Sequence, residues 1–324
     1  MYKRNILFLI YQNRTGSTFL ANQLSQHPDV AVAPEGHEPL ERLLSRACTP
    51  SAVGARIERL GQDLTMDPKL SSWKVSSSLL GERAAAASDE LDIFYALCDS
   101  FADTHRPNAS WVAVKGHFLS DLIARHGYQA LQRDRKVRAI FLIRDPRAMF
   151  VSQRESLSSR THQPMQDNPL VAGLRWRQAV NEATRLSHAP FGMMVRYEDL
   201  ILENEPTLGK IAELLGLDSG RLSAGETAEP ATLVELIPDE QKHLHRNVGR
   251  GPMADRIDRW QKKLSTRETM ALELIPGRAM QRLGYKRHHG GRLGVMDIGA
   301  MIKLATSAGW RKLGKLTGRL KAPV

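Results

Sequence analysis

The chain has 324 residues, of which 42% are hydrophobic and 25% are charged, so a core is available and general disorder is excluded. Lys and Arg number 46 against 35 Asp and Glu, and the net charge of +11 favours anionic partners such as phosphate, sulfate or an acidic membrane surface. The only two cysteines, Cys48 and Cys98, exclude a disulfide framework and a zinc cluster and predict a cytoplasmic location.

Short apolar runs that each end in a polar cluster predict buried strands, in chain order at residues 6–11, 111–114, 137–143 and 193–196. A further strand is predicted after His27-Pro28-Asp29-Val30, and residues 45–103, including the run 84–87, are predicted to be a mainly helical insertion beside the sheet. Because these apolar strands alternate with helical patterns, the sequence predicts an α/β fold whose parallel sheet is flanked by helices on both faces. Ligands bind outside the carboxyl ends of such strands, where the polar clusters fall.

Local signals place the helices that follow the later strands. Asp145 suits an N-cap with Pro146 at the first helical position, and this helix is predicted to run from 147 to 157. Residues 156–169, rich in Ser, Gln, His and Pro, predict a loop, and a further helix is predicted at 205–215.

The last 39 residues form a basic tail after a predicted single domain of residues 1–285. The tail, residues 286–324, holds nine Lys and Arg and one acid, Asp297, so it carries 9 − 1 = +8 of the net charge. Its spacing predicts an amphipathic helix, which is either a solvated tail or a peripheral contact with anionic membrane.

The first polar cluster gives the sheet a P-loop-like edge. Gly16 allows a tight turn, the amides of residues 15–18 open a helix that attracts anions, and Arg14 adds a bidentate clamp. Ser17 and Thr18 add hydroxyl donors, whereas the lysine of a P-loop is missing because Gly16 stands directly before Ser17. The loop is therefore poorly suited to magnesium–ATP, and the alternative is an ordinary turn with Ser17 as helix cap.

A second cluster lies at the end of the predicted strand 137–143. Arg144 comes at the strand end and Ser152 follows about two helical turns later, so both are placed to meet one phosphate. The alternative is that Arg144 pairs with Asp145 and Ser152 faces solvent.

Four separated motifs, together spanning residues 5–285, resemble sulfotransferases that use 3′-phosphoadenosine 5′-phosphosulfate (PAPS). Arg14-Thr15-Gly16-Ser17-Thr18 resembles their 5′-phosphosulfate loop, and Arg144 through Ser152 resembles their 3′-phosphate motif. The other two are Val195-Arg196-Tyr197-Glu198-Asp199-Leu200, which matches a recurring strand end, and Arg246 through Leu264, which resembles the late nucleotide-binding loop and its helix. Arg14, in place of lysine, resembles the carbohydrate-type and bacterial branch.

The resemblance implies roles for these residues. Arg14 and residues Thr15, Gly16, Ser17 and Thr18 would bind the 5′-phosphosulfate. Arg144 and Ser152 would bind the 3′-phosphate, together with Arg250 and Gly251. No metal is required, because fixed cations and amides neutralise the charge that develops during in-line transfer.

A hydroxyl acceptor needs a general base, and two candidates compete. Glu35 follows the predicted second strand, as in related carbohydrate and bacterial enzymes, and Glu38 is its near rival. Lys115-Gly116-His117 resembles the Lys-x-His of cytosolic sulfotransferases, in which His117 would be the base and Lys115 would help to position the sulfuryl group. The Arg14-type loop favours Glu35.

The sequence therefore predicts a sulfotransferase that moves a sulfuryl group from PAPS to a hydroxyl of a carbohydrate or glycolipid. The enzyme alternative is a P-loop-type phosphotransferase using ATP, and the non-enzyme alternative is a basic scaffold that binds membranes or nucleic acid through residues 286–324. Nucleic acid is not expected as a partner, because no basic stripe interleaved with aromatic residues occurs.

Overall fold

The structure is a computed structural model of the whole chain and describes residues 3–158, 161–223 and 254–288. The described residues gather into two compact units. The first holds residues 3–11, 16–143 and 183–223, and the second holds residues 12–15, 144–158, 161–182 and 254–288. Arg250, Gly251 and all but the first three residues of the predicted tail lie outside the described residues.

The first unit is built on one parallel sheet of five strands. They are β1 (Asn5–Tyr11), β2 (Val30–Val32), β3 (Trp111–Lys115), β4 (Val137–Ile143) and β5 (Gly192–Arg196). Their order is β2-β3-β1-β4-β5, so β1 is central and its carboxyl end adjoins those of β3 and β4. In register, Leu9 of β1 lies opposite Lys115 and Tyr11 lies opposite Leu142. The predicted parallel α/β fold is confirmed.

Helices cover both faces of this sheet, which explains why its strands are apolar throughout. On one face, Leu7 and Leu9 pack in a core with Leu20 and Leu24. On the other face, the ring of Phe8 lies 6.2 Å from that of Phe94. Successive side chains of a strand point to opposite faces, so a strand buried on both sides carries no polar alternation.

The helices of the first unit follow the strands in order. They are α1 (Ser17–Ser25), α2 (His37–Leu44), α3 (Val53–Met66), α4 (Ser77–Arg83), α5 (Glu90–His105), α6 (Leu119–Gln132), and, after β5, α9 (Tyr197–Leu202), α10 (Asn204–Leu215) and α11 (Ser219–Ser223). The chain between β4 and β5 contains α7 (Pro146–Arg154) and α8 (Pro169–Leu186), and the segment after the second gap forms α12 (Trp260–Lys263), α13 (Thr266–Leu274) and α14 (Arg278–Arg282).

The segment 45–103 is mainly helical, as predicted, and α5 within it is a buried crossover helix between β2 and β3 that packs on the sheet through Phe94. Two local predictions need correction. The run 84–87 is a turn, since α4 ends at Arg83 and Asp89 starts the next helix by accepting hydrogen bonds from the amides of Leu91 and Asp92. Helix α7 ends at Arg154 instead of 157, because Leu157 pairs with Pro164 in an antiparallel bridge.

The second unit is organised around α7. As predicted, Asp145 caps this helix by accepting from the Arg147 amide, with Pro146 at its first position. The Arg147 guanidinium stacks 3.8 Å from the ring centroid of Trp260 and pairs with Glu273 at 2.5 Å. Arg147 is 4% exposed, so this buried cation fastens α12 and α13 to α7.

Candidate active site

The loop between β1 and α1 is held by hydrogen bonds to three successive carbonyl groups. The amide and the hydroxyl of Thr15 both donate to Gln12 O, at 3.2 and 2.8 Å. Gln153 Nε2 donates to Asn13 O at 2.8 Å, and Arg144 Nη1 donates to Arg14 O at 3.0 Å. Because a peptide unit is planar, fixing each carbonyl also fixes the direction of the following N–H group. The amide and the hydroxyl of Thr15 therefore stabilise the conformation of the loop to which Thr15 itself belongs.

Two residues of this loop adopt left-handed backbone angles. Arg14 has φ +72° and Gly16 has φ +93°. For a non-glycine residue this conformation costs energy and persists only where surrounding contacts enforce it, which the donors to the loop carbonyls do here. Loop geometry of this kind marks the site as preorganised.

Gly16 is also required by a close aromatic neighbour. A Cβ atom at this position would lie 2.4 Å from Cδ2 of Tyr197, which begins α9 directly after β5. The strand end at residues 195–200 thus supplies the ring that packs on the loop glycine. This contact gives a structural reason for the third motif in the sequence.

Arg14, Arg144 and Ser152 come together in the second unit. Arg14 Nε donates to Ser152 Oγ at 3.2 Å, across 138 positions of sequence. Arg144 Nη1 donates to Arg14 O, and its Nη2 donates to Arg256 O at 3.0 Å. The cluster therefore offers two guanidinium groups and a hydroxyl, a donor set that fits a phosphate group.

The surroundings of Arg144 fix its position. Arg144 is 5% exposed, and its carbonyl accepts a hydrogen bond from Trp176 Nε1 at 2.7 Å. The neighbouring carboxylate of Asp145 accepts hydrogen bonds from Nε and Nη2 of Arg147, so Asp145 is bound to the second arginine of this motif.

In the first unit, Glu35 and Lys115 lie together. Lys115 Nζ is 3.5 Å from Glu35 Oε1, and both are shielded, with side chains 3% and 21% exposed for Lys115 and Glu35. The hydroxyl of Tyr11 donates to the same oxygen, and Lys115 Nζ lies 5.9 Å from the Tyr11 ring centroid. Tyr11 ends β1, Lys115 ends β3 and Glu35 follows β2, so this cluster stands at the carboxyl edge of the sheet.

The rival base candidates have different surroundings. His117 is exposed in the turn after β3, where its ring lies 6.3 Å from that of Phe118 at 79°. Glu38 is exposed in the first turn of α2. Both residues are exposed, whereas the side chains of Lys115 and Glu35 are shielded.

Two residues of these clusters were missed in the sequence. Tyr11 was assigned only to a strand, and Gln153 only to a helix. Each acts through a partner far away in sequence, Glu35 and Asn13 respectively. A polar side chain at the last position of a buried strand is the one signal that pointed to Tyr11.

Other expected features can be checked in the described part of the chain. Cys48 and Cys98 are buried and free, and burial raises the pKa of the Cys98 thiol well above its usual range. The tryptophans 73, 111, 176 and 260 are buried packing residues. Among the described helices, none is long and apolar enough to cross a membrane.

Comparisons with known proteins agree with this architecture. The sulfotransferase domain of the Synechococcus PCC 7002 olefin synthase is 19% identical, with a TM-score of 0.56 over 88% of this chain and 97% of that one. The sulfotransferase domain from the curacin biosynthetic pathway is 17% identical, with a TM-score of 0.55 over 88% and 99% of the two chains. No curated protein matches the sequence. The model of the sulfotransferase family matches residues 7–220, well over half of the sequence, and the chain is therefore an enzyme of the sulfotransferase family.

Proposed function

We propose that this enzyme transfers a sulfuryl group from PAPS to a hydroxyl group of a carbohydrate or glycolipid. The products would be a sulfate ester and adenosine 3′,5′-bisphosphate (PAP). The observation that carries the donor assignment is the contact of Arg14, Arg144 and Ser152 in one cluster. Residues from two sequence motifs, 130 positions apart, are thereby joined in a donor set suited to phosphate.

For the donor, we assign the 3′-phosphate to Arg144 and Ser152, with Arg250 and Gly251 as further candidates. The 5′-phosphosulfate is assigned to Arg14, Gly16, Ser17 and Thr18, at the start of α1. The positive end of that helix favours an anion, and Thr15 serves the shape of the loop. Charge that builds up on the leaving phosphate is thus met by fixed donors, which need not reorganise during transfer.

For the acceptor, we assign Glu35 as the general base and Lys115 as the cation beside it. Glu35 takes the proton of the acceptor hydroxyl while the hydroxyl oxygen of the acceptor forms a bond to sulfur. The bond between sulfur and the bridging oxygen breaks, and its electron pair stays on the 5′-phosphate of PAP. The 3.5 Å separation of Lys115 from Glu35 supports this choice, because the lysine favours the ionised carboxylate that a base requires.

The carbohydrate-type acceptor is supported by the arginine in the loop and by a carboxylate base candidate. We further propose a cytoplasmic enzyme, since both described cysteines are free, with residues 286–324 as a peripheral contact with anionic membrane. Deleting 289–324 is expected to remove binding to anionic vesicles and to leave nucleotide affinity intact.

The donor is tested by calorimetric titration of the full chain with PAP, with adenosine 5′-monophosphate and with magnesium–ATP. We expect PAP to bind most tightly and to lose affinity when the 3′-phosphate is absent. Arg144→Ala should weaken the binding of PAP by about tenfold or more, and should weaken the binding of adenosine 5′-monophosphate much less. The control is Arg154→Ala, an arginine of the same helix region that pairs with Glu268 at 2.6 Å.

Two outcomes would contradict the proposal. Equal losses for both nucleotides in Arg144→Ala would remove the 3′-phosphate assignment. Preference for magnesium–ATP would favour the P-loop-type phosphotransferase, and absence of nucleotide binding would favour the basic scaffold.

A further inference from the structure

Tyr11 lies where the sheet meets the proposed base. It is the last residue of β1, it is 6% exposed, and its side chain shares a face of the sheet with Leu7 and Leu9. Trp111 and Ala113 lie on that same face, so Lys115, two residues further along β3, projects from it as well. The strand register therefore brings Tyr11 and Lys115 together at one edge.

Two donors converge on a single oxygen of Glu35. The Tyr11 hydroxyl donates to Oε1, and Lys115 Nζ stands 3.5 Å from the same atom. A carboxylate at the end of a flexible side chain is otherwise free to rotate about its last bonds. Two fixed donors restrict that rotation and set the direction in which the carboxylate faces.

Tyr11 also meets the start of α1. The side chain of Ser17 hydrogen-bonds the phenol oxygen and favours its ionised form, although this effect is outweighed by the others. The side chains thus form a series from Ser17 through Tyr11 and Glu35 to Lys115. Ser17 belongs to the proposed phosphosulfate-binding turn, so Tyr11 connects the donor loop with the base.

The protonation state of Tyr11 suits a permanent donor. Burial raises the pKa of its phenol well above the usual range, and the charge of Glu35 and the hydrogen bond to it raise that pKa further. The phenol therefore keeps its proton at every pH at which the enzyme would be assayed. A group that holds its proton in this way cannot itself accept the proton of a hydroxyl.

We propose that Tyr11 is a positioning residue, which holds the carboxylate of Glu35 in fixed register with the phosphosulfate-binding turn at Ser17. This inference rests on the proposed function, in which Glu35 takes the acceptor proton. In that step the acceptor oxygen gains a bond to sulfur, sulfur loses its bond to the phosphate oxygen, and the proton passes to Glu35. Tyr11 keeps its own proton throughout and contributes orientation.

The test is Tyr11→Phe, which removes one oxygen atom and retains the ring. Formation of PAP from PAPS is followed against pH with water as the acceptor, since water is always available as a nucleophile. We expect kcat to fall about 10- to 100-fold while KM for PAPS stays nearly constant. The acidic limb should also move to higher pH by about one unit, because the ionised carboxylate has lost a hydrogen bond.

The matched control is Tyr95→Phe. Tyr95 is also a buried tyrosine of the first unit, and its hydroxyl donates to Leu131 O at 2.6 Å. The Tyr95→Phe variant should be less stable than the wild-type enzyme but should have the same pH profile of kcat. A normal kcat and a normal acidic limb in Tyr11→Phe would overturn the inference. It would also be overturned if Tyr11→Phe lowered kcat by the same factor in Glu35→Gln as in the wild-type enzyme.

A second measurement covers the case in which Tyr11→Phe does not fold. The chain has six tyrosines, and all can be replaced by 3-fluorotyrosine and followed by fluorine NMR. In Glu35→Gln we expect one fluorine resonance to change its chemical shift more than the others, because the Tyr11 hydroxyl exchanges its carboxylate partner for an amide. Fluorine spectra that are identical in the two proteins would remove the contact on which the inference depends.

Failure of the proposed function has a different signature. If wild-type enzyme neither binds PAP nor converts PAPS, the donor assignment is wrong and the role of Tyr11 falls with it. If wild-type enzyme converts PAPS and Tyr11→Phe behaves identically, only the role of Tyr11 is wrong.

Discussion

Arg14 donates a hydrogen bond from Nε to Oγ of Ser152 at 3.2 Å, so the first and second polar clusters of the sequence are in direct contact. The contact places an arginine of the loop beside a serine two turns into a later helix, as the proposed donor site requires. It also means that the two side chains should act together on a bound nucleotide.

The first prediction concerns this pair. Arg14→Ala should weaken PAP binding by about tenfold or more, since a charge-assisted hydrogen bond contributes about 1.5–3 kcal/mol. Ser152→Ala should cost less, because its hydroxyl is neutral. In calorimetry the double variant should lose less affinity than the sum of the two single losses. Strictly additive losses would show that the contact has no role in binding.

The second prediction concerns Gln153, whose side chain holds Asn13 O at 2.8 Å and carries no charge. Gln153→Ala should weaken PAP binding by about two- to tenfold, the range expected for one neutral hydrogen bond. The effect should be the same at low and high salt, because no ionic contact is removed. A loss that shrinks as salt is added would contradict the proposed mechanical role of this side chain.

The third prediction concerns the contact of Gly16 with Tyr197. Gly16→Ala should destabilise the fold by about 2 kcal/mol or more, because a Cβ would meet the ring at 2.4 Å and the backbone φ is +93°. Urea unfolding measures this loss. Gly209→Ala is the control, since a Cβ there meets nothing within 4 Å in the interior of α10, and it should be neutral or stabilising by about 0.5–1 kcal/mol. Equal effects of the two substitutions would remove the argument for a steric requirement at Gly16.

The fourth prediction concerns stability at alkaline pH. Burial raises the pKa of Tyr95 and of the Cys98 thiol, so both groups keep their protons in the folded chain at a pH where the unfolded chain loses them. The folded state then binds more protons than the unfolded state, and the free energy of unfolding falls as pH rises above about 8.5, the ordinary cysteine value. Urea titrations between pH 7 and pH 11 should show this decline.

Single variants identify the groups behind that decline. Cys98→Ala and Tyr95→Phe should each lower stability at neutral pH, through a lost packing or hydrogen-bond contact, and should each make the alkaline decline less steep. Variants whose curves merely run parallel to that of the wild type would show that other groups titrate.

Much of the architecture was predictable because the signals are local. The continuous apolar runs at β1, β3, β4 and β5 can be buried only in a sheet covered on both faces, and their ends lie within one residue of the predicted ones. Asp145 and Pro146 gave the start of α7 for the same reason, since a capping side chain acts within three residues.

The errors came where distant residues decide. The end of α7 depends on the bridge between Leu157 and Pro164, which no local propensity indicates. Alanine favours helix, but the run 84–87 turns, because the Asp89 cap starts a new helix just beyond it. The positions of Tyr11 and Gln153 depend on partners in other elements, and sequence spacing does not choose such partners.

The hydrogen bonds to the three carbonyl groups of the loop at residues 12–15 determine when, during synthesis, this loop can reach its final conformation. Arg144 and Gln153, which hold Arg14 O and Asn13 O, are synthesised 130 and 140 positions after the residues that they hold. A nascent chain that stops at the end of β4 has the strand and the helix on either side of the loop but lacks both of these donors. The loop can therefore reach its final conformation only after α7 has been synthesised.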